Sequence, residues 1–363
     1  MRHLRRLVPG LAVLALLGGL SAHPALRAGI ALAQAQQVWD VQVGGDPVPG
    51  ITTTSFWPDI ITIHTGDTVR WTFAPSSETH TVLTQPVGAQ NPPAFVPGPG
   101  PGEFSLGEPW FPIGPSGPDA TYDPDSTPLV NSGADFEGAD TPPYTLIFTK
   151  PGVYQPSCVL HFGMFGRVEV VARDATLTLP ETPAQAQARG QQGFRGRATA
   201  FNNLIFAPPP TFPASILPVA DAQTNVGTAS VHNVVAGLGF GGLVTALQFL
   251  PADLTVRRGD TVIWSNSDPL DPGHTVTFTS GAPPPDFPAV RGTQPSGQPL
   301  FVLTADTMQP TGGSNYTGQG YVNSGFLGPG RAVALTINAP AGTYQYLCLV
   351  HRDVMKGTVT VVE

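Results

Sequence analysis

The sequence predicts an all-β protein built from two tandem copies of one antiparallel sandwich. Three observations carry that expectation. Short alternating apolar runs recur between turn residues, with no sustained helical periodicity. Gly (42) and Pro (41) make up nearly a quarter of the 363 residues while apolar content stays at 41%, which fits short strands joined by turn-dense loops rather than a disordered chain. Finally, the chain repeats itself at a spacing of roughly 190 residues, and its length suits two domains of ordinary size.

The repeat consists of four blocks in the same order. Ile61-Thr-Ile-His-Thr-Gly66-Asp67-Thr68-Val69-Arg-Trp71 matches Leu254-Thr-Val-Arg-Arg-Gly259-Asp260-Thr261-Val262-Ile-Trp264. Each reads as strand, Gly-Asp turn, strand, with Trp71 and Trp264 as core aromatics and His64 beside Arg257 on the solvent side. Val130-Asn131-Ser132-Gly133 returns as Val322-Asn323-Ser324-Gly325. Gly152-Val-Tyr154-Gln155 and Gly342-Thr-Tyr344-Gln345 each stand six residues before a cysteine, and alternating strands follow at 167–171 and 358–362. The Gly/Pro-rich stretches 86–128 and 282–317 are expected to be long surface loops. These blocks divide the chain into a leader at 1–35, a first domain at 36–175, a linker at 176–225 and a second domain at 226–363. Within the linker, 182–204 has few breakers and allows a short helix, while Ala207-Pro-Pro-Pro210 suits an extended segment.

The N-terminus has the form of an export signal: Arg2, Arg5 and Arg6, an apolar stretch from Leu7 to Leu20, then Ala33-Gln34-Ala35 as a cleavage site. The apolar stretch is short for a membrane span, and His23, Pro24 and Arg27 interrupt it. The expected location is outside the cytoplasm: periplasmic, extracellular or at the cell surface, with no stable membrane insertion once the leader is removed. The whole chain carries 17 basic and 25 acidic residues, net −8. Without residues 1–35 it loses four arginines and no acid, leaving −12. Such a surface excludes nucleic acid as a partner and suits a basic, cytochrome-like redox protein.

The only two cysteines open the same pattern, Cys158-Val-Leu-His161-Phe-Gly-Met164 and Cys348-Leu-Val-His351-Arg-Asp-Val-Met355. Upstream of each stands a histidine followed by Thr-Val, at His80 and His274. Two imidazoles, a thiolate and a weak axial thioether form the ligand set of a mononuclear blue-copper site. The predicted metal ligands are therefore His80, Cys158, His161 and Met164, and again His274, Cys348, His351 and Met355. Two type 1 copper ions are expected. An exported chain with two cysteines also invites a disulfide, but a Cys158–Cys348 bridge would join the same position of two repeats and leave the His and Met residues unexplained. His64 and His232 are expected to be non-ligands.

These residues resemble the cupredoxins, the plastocyanin- and amicyanin-like blue-copper proteins, over nearly all of both repeats. The family's Gly-Asp-x-Val-x-Trp strand pair and its Tyr-x-x-x-Cys-x-x-His-x-x-Met-x-Gly closure are filled by Tyr154, Cys158, His161, Met164 and Gly166. In the second copy Tyr344, Cys348, His351 and Gly357 match, with Met355 one residue further along. The resemblance implies a Greek-key β-sandwich in each half and a function as an electron carrier. This chain departs from the family in having Thr81 and Thr275 where Asn often follows the upstream histidine, and in its longer loops.

Two other functions share these features. Two-domain copper oxidases and nitrite reductases place histidines beside the cysteine to reach a second copper centre. Here Ser157 and Val159 flank the first cysteine, and Leu347 and Leu349 the second. Copper storage or delivery would use the same ligands without electron transfer. No catalytic residue is predicted, and the chain reads as a non-enzyme.

Overall fold

The computed structural model describes residues 35–363, apart from 49, 137–139, 175–176, 207–223, 227–228, 241–242 and 271–272. The expected leader and the Ala207–Pro210 segment lie outside the described residues. Residues 35–363 form one compact unit, and among the described residues it is all-β with a single long helix.

Two sandwiches stand in tandem. In the first, a five-stranded sheet runs in the order Thr121–Tyr122, Tyr144–Phe148, Thr68–Phe73, Val38–Val43, Phe56–Trp57. Facing it is a six-stranded sheet in the order Ile60–His64, Arg167–Val171, Gly152–Ser157, Leu83–Pro86, Val130–Ser132, Pro112–Ile113. The second sandwich repeats the plan. Thr261–Ser265 pairs in parallel with Ala229–Phe240 and antiparallel to Ala332–Ile337. In the opposite sheet, Asp253–Arg257 pairs in parallel with Lys356–Val362. Between the sheets of each half lies one core, centred on Trp71 in the first and Trp264 in the second, both fully buried.

The Gly-Asp turns do not close hairpins. Ile60–His64 pairs in parallel with Arg167–Val171, whereas Thr68–Phe73 pairs in parallel with Val38–Val43. The turn therefore carries the chain from one sheet to the other. Asp67 makes this crossing possible by accepting the His64 amide at 3.0 Å and the Trp39 indole N–H at 3.2 Å. Asp260 does the same in the second half, accepting the amides of Arg257 and Ser230 at 2.8 Å each, and facing His232 Nε2 at 3.1 Å. His64 is buried at 3% exposure rather than on the solvent side, because the strand that carries it packs its last two residues inward.

The Gly/Pro-rich stretches are not free loops. Phe95–Pro97 and Phe104–Leu106 from the first pair with Ala289–Thr293 and Pro299–Leu303 from the second, in a four-stranded sheet that joins the two halves. A second junction forms where Ile51–Thr52 adds to Val244–Leu250.

The linker helix is longer than expected, Pro183–Phe206. Thr182 and Gln185 form a capping box, the Gln185 amide donating to Thr182 Oγ1 at 3.3 Å and the Thr182 amide to Gln185 Oε1 at 2.8 Å. Glycine in a helix interior costs about 1 kcal/mol relative to alanine, and the helix holds three. Two of them permit close packing: a Cβ at Gly190 would meet Pro58 N at 2.5 Å, and one at Gly193 would meet the Trp57 ring at 2.8 Å. Phe194 then meets Trp57 edge-on, with ring centroids 6.1 Å apart.

Candidate metal centres

In each sandwich, the segment that leads into one strand (Leu83–Pro86, Thr277–Phe278) and one tight loop bring three donors together. His80, Cys158 and His161 offer ligand atoms within 4.8 Å of one another, all buried, and His274, Cys348 and His351 do the same. The ring centroids of His80 and His161 are 4.8 Å apart, and those of His274 and His351 are 5.0 Å apart. Both cysteines are free thiols, so the disulfide is not formed.

Each ligand loop closes on itself. The Cys158 amide donates to the Met164 carbonyl at 3.1 Å, and the Cys348 amide to the Met355 carbonyl at 3.0 Å. The extra residue of the second loop is absorbed in the turn. Met164 donates to the carbonyl three residues back, at His161, while Met355 donates four residues back, at His351, both at 2.8 Å. Met164 and Met355 are fully buried in the two cores that also hold the cysteines.

The threonines that replace asparagine lash each loop to the strand of the upstream histidine. The Thr81 amide points at Cys158 Sγ and the Thr275 amide at Cys348 Sγ, both at 3.4 Å. Their hydroxyls accept the next loop amide, from Val159 at 3.0 Å and from Leu349 at 2.8 Å. The repeated Val-Asn-Ser-Gly block supports the same strand from its other side. Ser132 Oγ accepts the Val82 amide and Ser324 Oγ the Val276 amide, each at 2.8 Å.

The electrostatics favour the thiolate. Burial pushes both thiols up, but the imidazoles facing each sulfur outweigh it and hold Cys158 and Cys348 well below the usual thiol range. Burial pushes His161 and His351 down, and the neighbouring thiolate and carboxylate charges reverse this and hold both well above the usual imidazole range. Asp135, whose carboxylate accepts the His80 amide, is pushed up to about 6, chiefly by burial.

Three residues at the sites escaped the sequence analysis. Gly44 and Gly237, with φ of +57° and +81°, let the upstream rings pass: a Cβ there would lie 2.1 Å from His80 Nε2 or 1.9 Å from His274 Nε2. In the second half Nδ1 of His274 lies 4.0 Å from Cys348 Sγ. Gly44 follows the strand Val38–Val43 and Gly237 sits at the bulge inside Ala229–Phe240, about 190 residues apart, so extending the repeat upstream would have found them. The third is Glu78, buried between the two centres. Its Oε2 lies 3.4 Å from His161 Nε2 and its Oε1 lies 2.9 Å from His351 Nε2. Burial pushes this carboxyl up, but the two histidines outweigh it and hold it well below the usual range. Its counterpart position before His274 is Pro272, so no repeat pointed to it. Above Glu78 lies a cavity of about 270 Å³ walled by Phe95, Trp110, Phe136, Phe326 and Val350.

The residues fit copper. Each centre joins one buried thiolate to two imidazoles, a soft donor with borderline ones, and both ring nitrogens of His80 lack a hydrogen-bond partner within the protein. Residues 238–362 match the family model for copper binding proteins of the plastocyanin/azurin family. Among solved structures, a reduced amicyanin variant is 22% identical, with 42% of this chain and 97% of that chain covered at a TM-score of 0.23. A second amicyanin variant, in its Cu(I) form at pH 4, is 20% identical over 39% of this chain and 94% of that one, at 0.22. A purple cupredoxin from Nitrosopumilus maritimus is 20% identical over 36% and 98%, at 0.20. No curated protein matches the chain. Residues 238–362 thus match the copper-binding proteins of the plastocyanin/azurin family, and the first half sets out the same three side chains in the same order.

Proposed function

We propose that this is an exported blue-copper electron-transfer protein with one type 1 copper in each half. His80, Cys158, His161 and Met164 would hold the first and His274, Cys348, His351 and Met355 the second. The observation that carries the reading is the duplicated buried group, His80–Cys158–His161 and His274–Cys348–His351. Copper bound there supplies a one-electron Cu(I)/Cu(II) couple. The protein's own part is to hold the donors still. Thr81 and Thr275 place an amide against each thiolate, and the Cys-to-Met backbone bond fixes each loop. A donor set fixed in this way needs little rearrangement between oxidation states. The acidic mature surface supports a basic, cytochrome-like redox partner, with association faster at low salt. Among the described residues no helix is long and apolar enough to cross a membrane.

The test combines metal analysis, the visible Cu(II)–thiolate band and electron exchange with a basic cytochrome at varied salt. Two coppers per chain, an intense band and salt-sensitive exchange are expected. A colourless protein that binds only Cu(I) would replace the carrier with a storage function.

A second reading, a copper oxidase taking electrons from a small donor, is favoured by one feature: the apolar cavity that ends on Glu78 and the two histidines. Robust turnover of phenols or nitrite by the copper-loaded chain would establish it in place of the carrier.

A further inference from the structure

We propose that Glu78 ties the two metal centres into one coupled pair, with His161–Glu78–His351 as the bridge between them. The inference rests on the copper reading above and extends it to how the two sites act on each other. Each ring has a metal side and a bridge side. Nδ1 of His161 lies 3.4 Å from Cys158 Sγ, and Nδ1 of His351 lies 3.7 Å from Cys348 Sγ. Nε2 of both rings turns the other way, to the two oxygens of one carboxylate. A histidine that binds metal through one nitrogen commonly gives its other N–H to a carboxylate, which fixes the tautomer and the ring's basicity. Here a single carboxylate faces two such rings at ion-pair distance, with no hydrogen bond closed to either, and the three side chains are nearly sealed, at 3% for His161, 7% for Glu78 and 1% for His351.

The sharing gives the coupling its sign. A cation at Nδ1 of His161 adds to the positive charge that the ring presents to Glu78 and draws on that carboxylate. Less remains for His351, so a second cation binds more weakly, and by reciprocity the first site feels the second equally. The same bridge is a compact path for one electron from a reduced site to an oxidised one. In that exchange one site goes from Cu(I) to Cu(II) and the other from Cu(II) to Cu(I). No covalent bond forms or breaks, and the bridge keeps both protons.

The experiment uses the full chain. The midpoint of the first site is read from its thiolate band in the unmodified protein with the second site oxidised, and again in Cys348→Ser, which lacks the second thiolate. A difference of at least fivefold in the Cu(I)/Cu(II) equilibrium is expected, shrinking to under twofold when both measurements are repeated in Glu78→Gln. A first site indifferent to the second, or a difference undiminished in Glu78→Gln, would overturn the proposal. The first comparison retains Glu78, so a first site indifferent to the second overturns the proposal even where Glu78→Gln folds poorly. A second readout needs no redox chemistry: in Cys348→Ser, adding Cu(I) to the first site should move the ¹⁵N resonance of His351 Nε2, and a static resonance would count against the bridge. Absence of the band in the unmodified chain would sink the copper reading itself, whereas a full band without coupling would sink the pairing alone.

Discussion

Gly44 and His80 meet so closely that the glycine Cα stands where any side chain would collide with the ring: a Cβ built there falls 2.1 Å from His80 Nε2. The second half repeats the contact at Gly237 and His274. Gly44→Ala must strain a backbone at φ +57° and push the upstream ligand off its cysteine. We expect a loss of about 1–3 kcal/mol in stability and at least tenfold weaker copper binding at the first site alone. Gly259→Ala is the control, since its φ is +97° but nothing lies within 4 Å. It should cost stability without changing metal affinity, as read by denaturant unfolding and copper titration.

Removing one thiolate should remove one band. Cys158→Ser is expected to lower the visible charge-transfer absorbance and the copper content by about half, because a blue site requires its thiolate. An undiminished band would show that the first site is misassigned.

Thr81→Val keeps the amide that faces Cys158 but deletes the hydroxyl that accepts the Val159 amide. A buried donor left without its acceptor costs about 1–3 kcal/mol. Thr275→Val should cost the same through Leu349. The check is the midpoint of unfolding of the copper-free chain, where any effect on the metal is absent.

Asp260 predicts an acid limit to stability. Burial pushes its carboxyl up, but the amides of Ser230 and Arg257 and the His232 ring outweigh this and hold it below the usual carboxylate value. A depressed carboxyl contributes stability above its unfolded value, and that contribution is lost as pH falls through the folded one. Asp260→Asn should therefore be less stable near neutral pH by about 1.5–3 kcal/mol, and its stability should fall less steeply below about pH 4. Parallel slopes for the two proteins would remove Asp260 from the acid transition.

Separate expression of 36–175 and 226–363 tests how far the halves depend on each other. Each keeps its own ligand set, yet 226–363 loses Ile51–Thr52 from its sheet, Phe104–Leu106 from the joining sheet and Glu78 from His351. We expect each half to bind copper, to be less stable than the intact chain, and to reassociate when mixed. Bound metal should raise the melting temperature of each half by mass action.

The sequence was most readable where chemistry repeats. The strands around Gly66-Asp67 and Gly259-Asp260 follow from alternation and turn residues, and the repeated Cys-x-x-His clusters announce themselves. What stayed hidden depended on tertiary pairing. The stretches at 86–128 and 282–317 look like loops because each contributes only short strands, which gain partners only when both halves are present. His64 aligns with an exposed arginine, yet its strand turns it inward. Glu78 is a lone acid before a histidine, a pattern with no period, and only the arrival of His351 from the other half gives it meaning.

The inward turn of His161 and His351 also decides what can reach them. Both imidazoles are nearly sealed, at 2% and 4% exposure, and both line the apolar cavity above Glu78. A large redox group meets little of either ring, and the exposed surface nearest the first ligand loop is apolar, at Phe162 and Phe165. The cavity sets an upper size on anything that touches the rings directly. Direct access to this pair is therefore graded by molecular dimensions before it is graded by charge.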